Sequence, residues 1–187
     1  MKKNIKIILL MGLSLFLLIG CGAKEQEKTI DNFINKLLSV KTYEGFTFLN
    51  SDSEDIGEAQ ADLDKYAEDS KANFGEYFTE NGFDTLMSNR IPYFYYAVIN
   101  ENNVKDITDI KIVKTKEAEN DTYTNYEFIH YEYEVSYKLK SDDKSIDMID
   151  YLVFKVMKDN TSIIDEVYMV NEKSSIFNEY LNSKNYQ

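Results

Sequence analysis

The sequence predicts an α+β domain in which N-terminal helices pack on one face of a curved antiparallel sheet of about four strands. Two observations carry this. In the first half the apolar residues recur with the 3.6-residue helical period, and in the second half they alternate with period two between short turn signals. A third observation is composition: 187 residues at 43% apolar and 29% charged describe an ordinary globular chain of one-domain length.

The first helix is read from Ile30, Phe33, Ile34, Leu37 and Leu38, which fall at i, i+3, i+4, i+7 and i+8, with Asp31, Asn32, Asn35 and Lys36 on the opposite side. Thr29 is the expected N-cap, and the helix is expected to end between Thr42 and Gly45. Asp52, Ser53, Glu54 and Asp55 then lead into a second helix with the stripe Ile56, Ala59, Leu63, Tyr66 and Ala67, and their charge suits its N-terminal dipole. Phe74, Tyr77 and Phe78 prolong the stripe until Asn81-Gly82, read as a break. A short third helix fits Phe83 to Asn89, with Leu86 and Met87 inward. The run Tyr93-Phe94-Tyr95-Tyr96 beside Pro92 is read as extended chain, whose consecutive aromatics point to both faces.

From Tyr126 to Leu139 the alternation is long: Ile129, Tyr131, Tyr133, Val135, Tyr137 and Leu139 on one face, His130, Glu132, Glu134, Ser136 and Lys138 on the other. Flanking strands are expected at Ile107 to Lys116, Ile146 to Lys158 and Ser162 to Val170. Turn signals at Glu119 to Thr122, Ser141 to Lys144 and Lys158 to Thr161 separate them. Connections this short favour antiparallel hairpins, since a parallel crossover needs a dozen or more residues.

The N-terminus carries a different message. Lys2, Lys3 and Lys6 precede the apolar stretch Ile7 to Ile19, the layout of a secretory signal. Thirteen residues span about 20 Å as a helix, short of the roughly 30 Å hydrocarbon core. The stretch Leu18-Ile19-Gly20-Cys21 resembles the bacterial lipobox, in which the Cys sulfur receives a diacylglyceryl group and the chain is cut before it. That resemblance implies residues 1–20 as signal peptide, 21–28 as lipidated Cys21 and tether, and 29–187 as one α+β domain on the extracytoplasmic face of a bacterial membrane. Two acyl chains suffice for stable anchoring. Loss of three lysines makes the mature chain more acidic than the full chain's −12, so anionic headgroups repel the domain and the lipid holds it.

Composition excludes several functions. A pI near 4.6 lacks the cationic surface that nucleic acid requires. One Cys and one His exclude an intrachain disulfide, a Cys-based zinc site and a multi-His metal site within the chain. Scarce Pro and His amid abundant Lys, Asn, Ile and Tyr fit an AT-rich genome, and a disulfide-free exterior suits a Gram-positive surface.

A helical hairpin, the passage Tyr77 to Pro92 (YFTENGFDTLMSNRIP) and the long strands after it together resemble the NTF2-like (cystatin-like) α+β cone found among lipoproteins of Gram-positive bacteria. The likeness is one of element order over residues 29 to 172 and transfers no catalytic residue. It does imply a conical interior, where isomerases of this fold class keep a buried Asp that abstracts a proton. Asp147, Asp150, Asp165 and Glu166 are carboxylates on or near strands. His130, Glu132 and Glu134 read as a solvated strand face, because no second His or Cys completes a site. The densest amphipathic feature is aromatic: 15 Tyr and 11 Phe occur without a Trp. Tyr93, Tyr95, Tyr131 and Tyr133 are therefore the expected binding surface, for a surface protein or a small apolar ligand. No phosphate loop, metal cluster, cofactor motif or nucleophile motif is present. The expected function is binding at the cell surface without catalysis; the alternative is a small-molecule isomerase or dehydratase using the cone.

Overall fold

The computed structural model describes residues 25–46, 56–119, 128–157 and 163–184. The signal segment, Cys21, the approach to the second helix at 52–55 and the turn at 158–161 lie outside them. Among the described residues are five α-helices and a four-stranded antiparallel sheet, so the α+β class holds.

Helix α1 runs over 25–37 and buries Ile30, Phe33, Ile34 and Leu37, the stripe the sequence predicts. It begins earlier than the expected cap at Thr29. Gln26 is buried, accepting from the Tyr131 hydroxyl at 2.7 Å and donating to the Met157 carbonyl at 3.5 Å. Residues 25–28 therefore belong to the domain and not to a tether; a polar sequence reads as spacer until one of its amides is seen to satisfy core groups. At the other end, Thr42 Oγ1 donates to the Lys36 carbonyl at 2.7 Å and Tyr43 Oη to that of Leu37 at 3.0 Å, satisfying terminal carbonyls from a 3-10 turn at Val40–Tyr43.

Helix α2 (Ile56–Phe74) buries Tyr66, Ser70 and Phe74, an i, i+4, i+8 face, while Leu63 and Ala67 of the expected stripe are exposed. Helix α3 (Glu80–Ser88) starts three residues before the expected Phe83 and contains Asn81-Gly82, the pair read as a break. Its N-cap Thr79 accepts from Gly82 N–H at 3.0 Å and donates to Asp165 Oδ1 at 2.8 Å. Removing that oxygen strips both a cap and a tie to the sheet. Thr79→Ala should lower stability by about 1–2 kcal/mol, read as a lower urea midpoint at unchanged slope.

Helix α4 (Ile91–Glu101) corrects the extended reading of Tyr93 to Tyr96. Pro92 falls in its first turn, where the missing N–H costs nothing, and Arg90 at φ 55° makes the sharp link from α3. Residues 91 to 99 are buried apart from the half-buried Tyr93, because α4 lies enclosed against α5 and the core. Near-continuous apolarity then marks a buried helix, not a strand.

Strands β1 (Asp106–Glu119), β2 (Phe128–Lys140), β3 (Ser145–Met157) and β4 (Ile164–Met169) form a meander in the order β1-β2-β3-β4. All four expected strands are present within three residues at each described end. In β2 and β3, Tyr133 opposes Leu152 and Tyr137 opposes Met148 on the inner face, while Glu132 opposes Val153 and Glu134 opposes Tyr151 on the outer. Register shifts between Thr108 and Lys111, with Asp109 at φ 57°, and between Lys114 and Lys116 bend the long edge strand β1. Helix α5 (Ser175–Lys184) follows the sheet and packs on α4 and β3; helical order past residue 172 was not expected. One hydrophobic cluster takes in side chains from all five helices and all four strands. No helix among the described residues is long and apolar enough to cross a membrane.

Candidate functional site

The inner face of the sheet holds the one fully buried carboxylate among the described residues, Asp150 of β3. Its Oδ2 accepts from the Tyr95 hydroxyl of α4 at 2.7 Å and from the Tyr137 hydroxyl of β2 at 2.5 Å. Its Oδ1 accepts from the Ile176 N–H at 3.0 Å, and the Ser175 N–H also bonds the carboxylate. Asp150 thus caps the N-terminus of α5 from another element, where a carboxylate suits both the free amides and the helix dipole. Burial pushes its carboxyl above the usual carboxylate range, and the four donors pull part of the way back. Burial likewise pushes the phenols of Tyr95 and Tyr137 well above their usual value, with the adjoining carboxylate adding to it.

The chemistry of this node is that of a structural tie. Both oxygens are already engaged, and none of the three described cavities is lined by Asp150. The largest, about 530 Å³, lies between Lys71, Phe78 and Phe83. A polar cleft of about 410 Å³ separates Glu101 and Lys105 from the β2–β3 hairpin at Asp142 and Lys144, and a third of about 220 Å³ adjoins Tyr43 and Tyr96.

The expected aromatic surface is not a surface. Tyr95 is 1% exposed, Tyr131 0% and Tyr133 3%, and Tyr93 is half-buried between Tyr66 and Tyr180. Their hydroxyls are part of the reason: a Tyr can sit in a core when its tip finds an acceptor, as Tyr95 does on Asp150 and Tyr131 on Gln26. The four do not converge either, since Tyr131 and Tyr133 neighbour each other under α1 whereas Tyr95 meets Tyr137.

What is open is the outer sheet face. Ile149 and Tyr168 are each 42% exposed there, with Val113 of β1 also exposed. Ion pairs frame it: Lys116–Glu132 at 2.8 Å, Lys155–Glu166 at 3.0 Å and Lys138–Asp109 at 3.1 Å. Tyr151 Oη donates to Glu134 at 3.0 Å, and Tyr168 Oη donates to Glu166. Burial works to raise the Glu166 carboxyl, but bonds from Tyr168 and Lys155 outweigh it and hold the group below its usual value. The same bond pushes Tyr168 up to about 12.

The remaining sequence candidates take structural places on and beside this sheet. Asp165 accepts from Thr79, its carbonyl accepts from Asn81, and Asp147 is exposed 3.8 Å from Lys138. His130 is on the outer face but not solvated as expected, since its Nε2 is buried and without a hydrogen-bond partner. No group of three or more His, Cys, Asp or Glu among the described residues is placed to hold a metal ion. Comparison with protein-family models, curated proteins and solved structures finds no match to this chain.

Proposed function

We propose that this chain is a lipid-anchored, NTF2-like binding domain on the extracytoplasmic face of a bacterial membrane, held by Cys21 and acting without catalysis. One observation carries the choice against an enzyme. The carboxylate in the position an acid–base catalyst of such a cone would occupy, Asp150, spends both oxygens on Tyr95, Tyr137 and the first turn of α5. A general base must reach a substrate proton, and this one meets only the protein. The binding face is then the open side of the sheet, where Val113, Ile149, Tyr151 and Tyr168 present apolar bodies among paired charges. A surface protein or a small apolar ligand fits it; a polyanion such as nucleic acid does not suit a chain of −12.

The anchor is tested by expressing the full chain in a Gram-positive host with a clickable palmitate analogue. Wild type should label and sediment with membranes, and Cys21→Ala should do neither. A Cys21→Ala chain that still sediments with membranes at wild-type mobility would remove the lipoprotein reading. The non-catalytic reading is tested separately: a turnover lost on replacing Asp150 while the fold persists would restore the enzyme.

A further inference from the structure

We propose that the cavity between the end of α2 and the start of α3 binds short apolar peptides with free termini, of two or three residues, by pairing the charges at both ends. None of the exposed residues of the outer sheet face lines it, so the site stands or falls separately from the proposed function.

The cavity is the largest of the three described, and its floor is aromatic, formed by the buried Phe78 and the half-buried Phe83. Lys71 and Gly75 close it from the α2 side, Glu80 and Asp84 from the α3 side. Gly75 lets the Lys71 stem lie along the wall, since a Cβ there would come within 3.3 Å of Lys71 Cγ. A rounded space of about 530 Å³ is roughly 10 Å across, the length of two to three extended residues at about 3.3–3.6 Å each. An apolar floor with a few converging polar groups is the composition of small-ligand sites.

The charges around this floor differ from those of the sheet. On the outer face Lys116, Lys138 and Lys155 each hold a carboxylate. Lys71, Glu80 and Asp84 are exposed, and none of them has an ion-pair or side-chain hydrogen-bond partner among the described residues. Glu80 and Asp84 are four residues apart on α3, one turn above the other and on the face that carries Phe83. Like charges at that spacing destabilise a helix, and α3 has no basic residue to offset them. The helix dipoles suit Lys71 in the last turn of α2 and Glu80 in the first turn of α3, but Asp84 is a turn further in, where the dipole no longer favours it.

A cation over the Phe83 side of the floor would satisfy Glu80 and Asp84 together, and an anion on the α2 side would satisfy Lys71. A single amino acid carries its two charges too close together to reach both sides, whereas a short peptide separates them by its own length. Its apolar side chains cover Phe78 and Phe83. Being neutral overall, it also escapes the repulsion that a free anion meets from a chain of −12.

Isothermal titration of the full chain in detergent, with leucyl-leucine, N-acetyl-leucyl-leucine and leucyl-leucinamide as probes, tests this. The free dipeptide should bind, and each blocked form should bind roughly fivefold more weakly, the scale of an ion pair that stays partly solvated. In Lys71→Ala the dipeptide and its amide should bind alike. In the double variant Glu80→Gln, Asp84→Asn the dipeptide and its N-acetyl form should bind alike. All three side chains are exposed, so these substitutions leave the fold in place. The proposal is overturned if millimolar leucyl-leucine does not bind, if the blocked forms bind as tightly as the free dipeptide, or if either preference survives in the variant meant to abolish it.

Discussion

Gly82→Ala should cost about 3 kcal/mol, at the upper end of what overpacking usually does, although alanine is the better helix former. A Cβ built on Gly82 overlaps the Ile164 carbonyl oxygen and meets the Asp165 carbonyl carbon and oxygen at 3.1 Å. These are backbone atoms of a strand that is itself paired to β3, so no rotamer change relieves them. The seat of α3 on β4 is fixed from both sides of the contact: Thr79 N–H donates to Ile164 O at 3.0 Å, Asn81 Nδ2 to Asp165 O at 3.2 Å, and Asn89 Nδ2 to Val167 O at 2.9 Å. Making room for one methyl group means breaking several of these together. The sign of the effect is diagnostic. An ordinary Gly→Ala exchange inside a helix stabilises by roughly 0.5–1 kcal/mol, so a raised denaturation midpoint would show that α3 does not press on β4.

Gly82 also shows where the sequence was legible and where it was not. Asn-Gly is a turn signal in isolation, and only the approach of β4, more than 80 residues later, makes the glycine a packing requirement inside a helix. The strands were easier, because period two and short turns are local: β2 and its partners follow from alternation alone. That same alternation contained more than a strand. Tyr131, Tyr133 and Tyr137 are in phase with Ile129, Val135 and Leu139, which places them in the core. Asp150 is in phase with Met148, Leu152, Phe154 and Val156, which is the signal that a carboxylate is buried. What alternation could not supply is the partner of that carboxylate. Tyr95 comes from a helix that read as extended chain, and the amides come from α5, whose apolar residues Ile176, Phe177, Tyr180 and Leu181 span less than two turns, too short a run to stand out as a periodic segment.

Phe33→Ala should cost about 3–5 kcal/mol, the range of full aromatic deletions in packed cores. Its ring is completely buried and is the point where α1, the interior strand β3 and the α2–α3 junction meet. It stands edge-on to Phe78 at 4.9 Å, Phe74 at 5.8 Å, Phe154 at 6.0 Å and Tyr77 at 6.1 Å, the edge-to-face geometry that aromatic quadrupoles favour. Phe154 passes the contact on to Tyr133 at 5.7 Å, so the loss propagates into β2 and β3 and is not confined to α1. The four surrounding rings belong to a 3-10 turn, a helix end, an interior strand and the link into α3, and such differently anchored neighbours cannot close in on the vacated space together. Phe33→Leu keeps much of the volume and should cost clearly less, and Phe177→Ala, on the half-buried face of α5, less again. Urea titration of the three variants checks the order. A Phe33→Ala loss no greater than that of Phe177→Ala would mean that α1 is an appendage to the sheet and not part of its core.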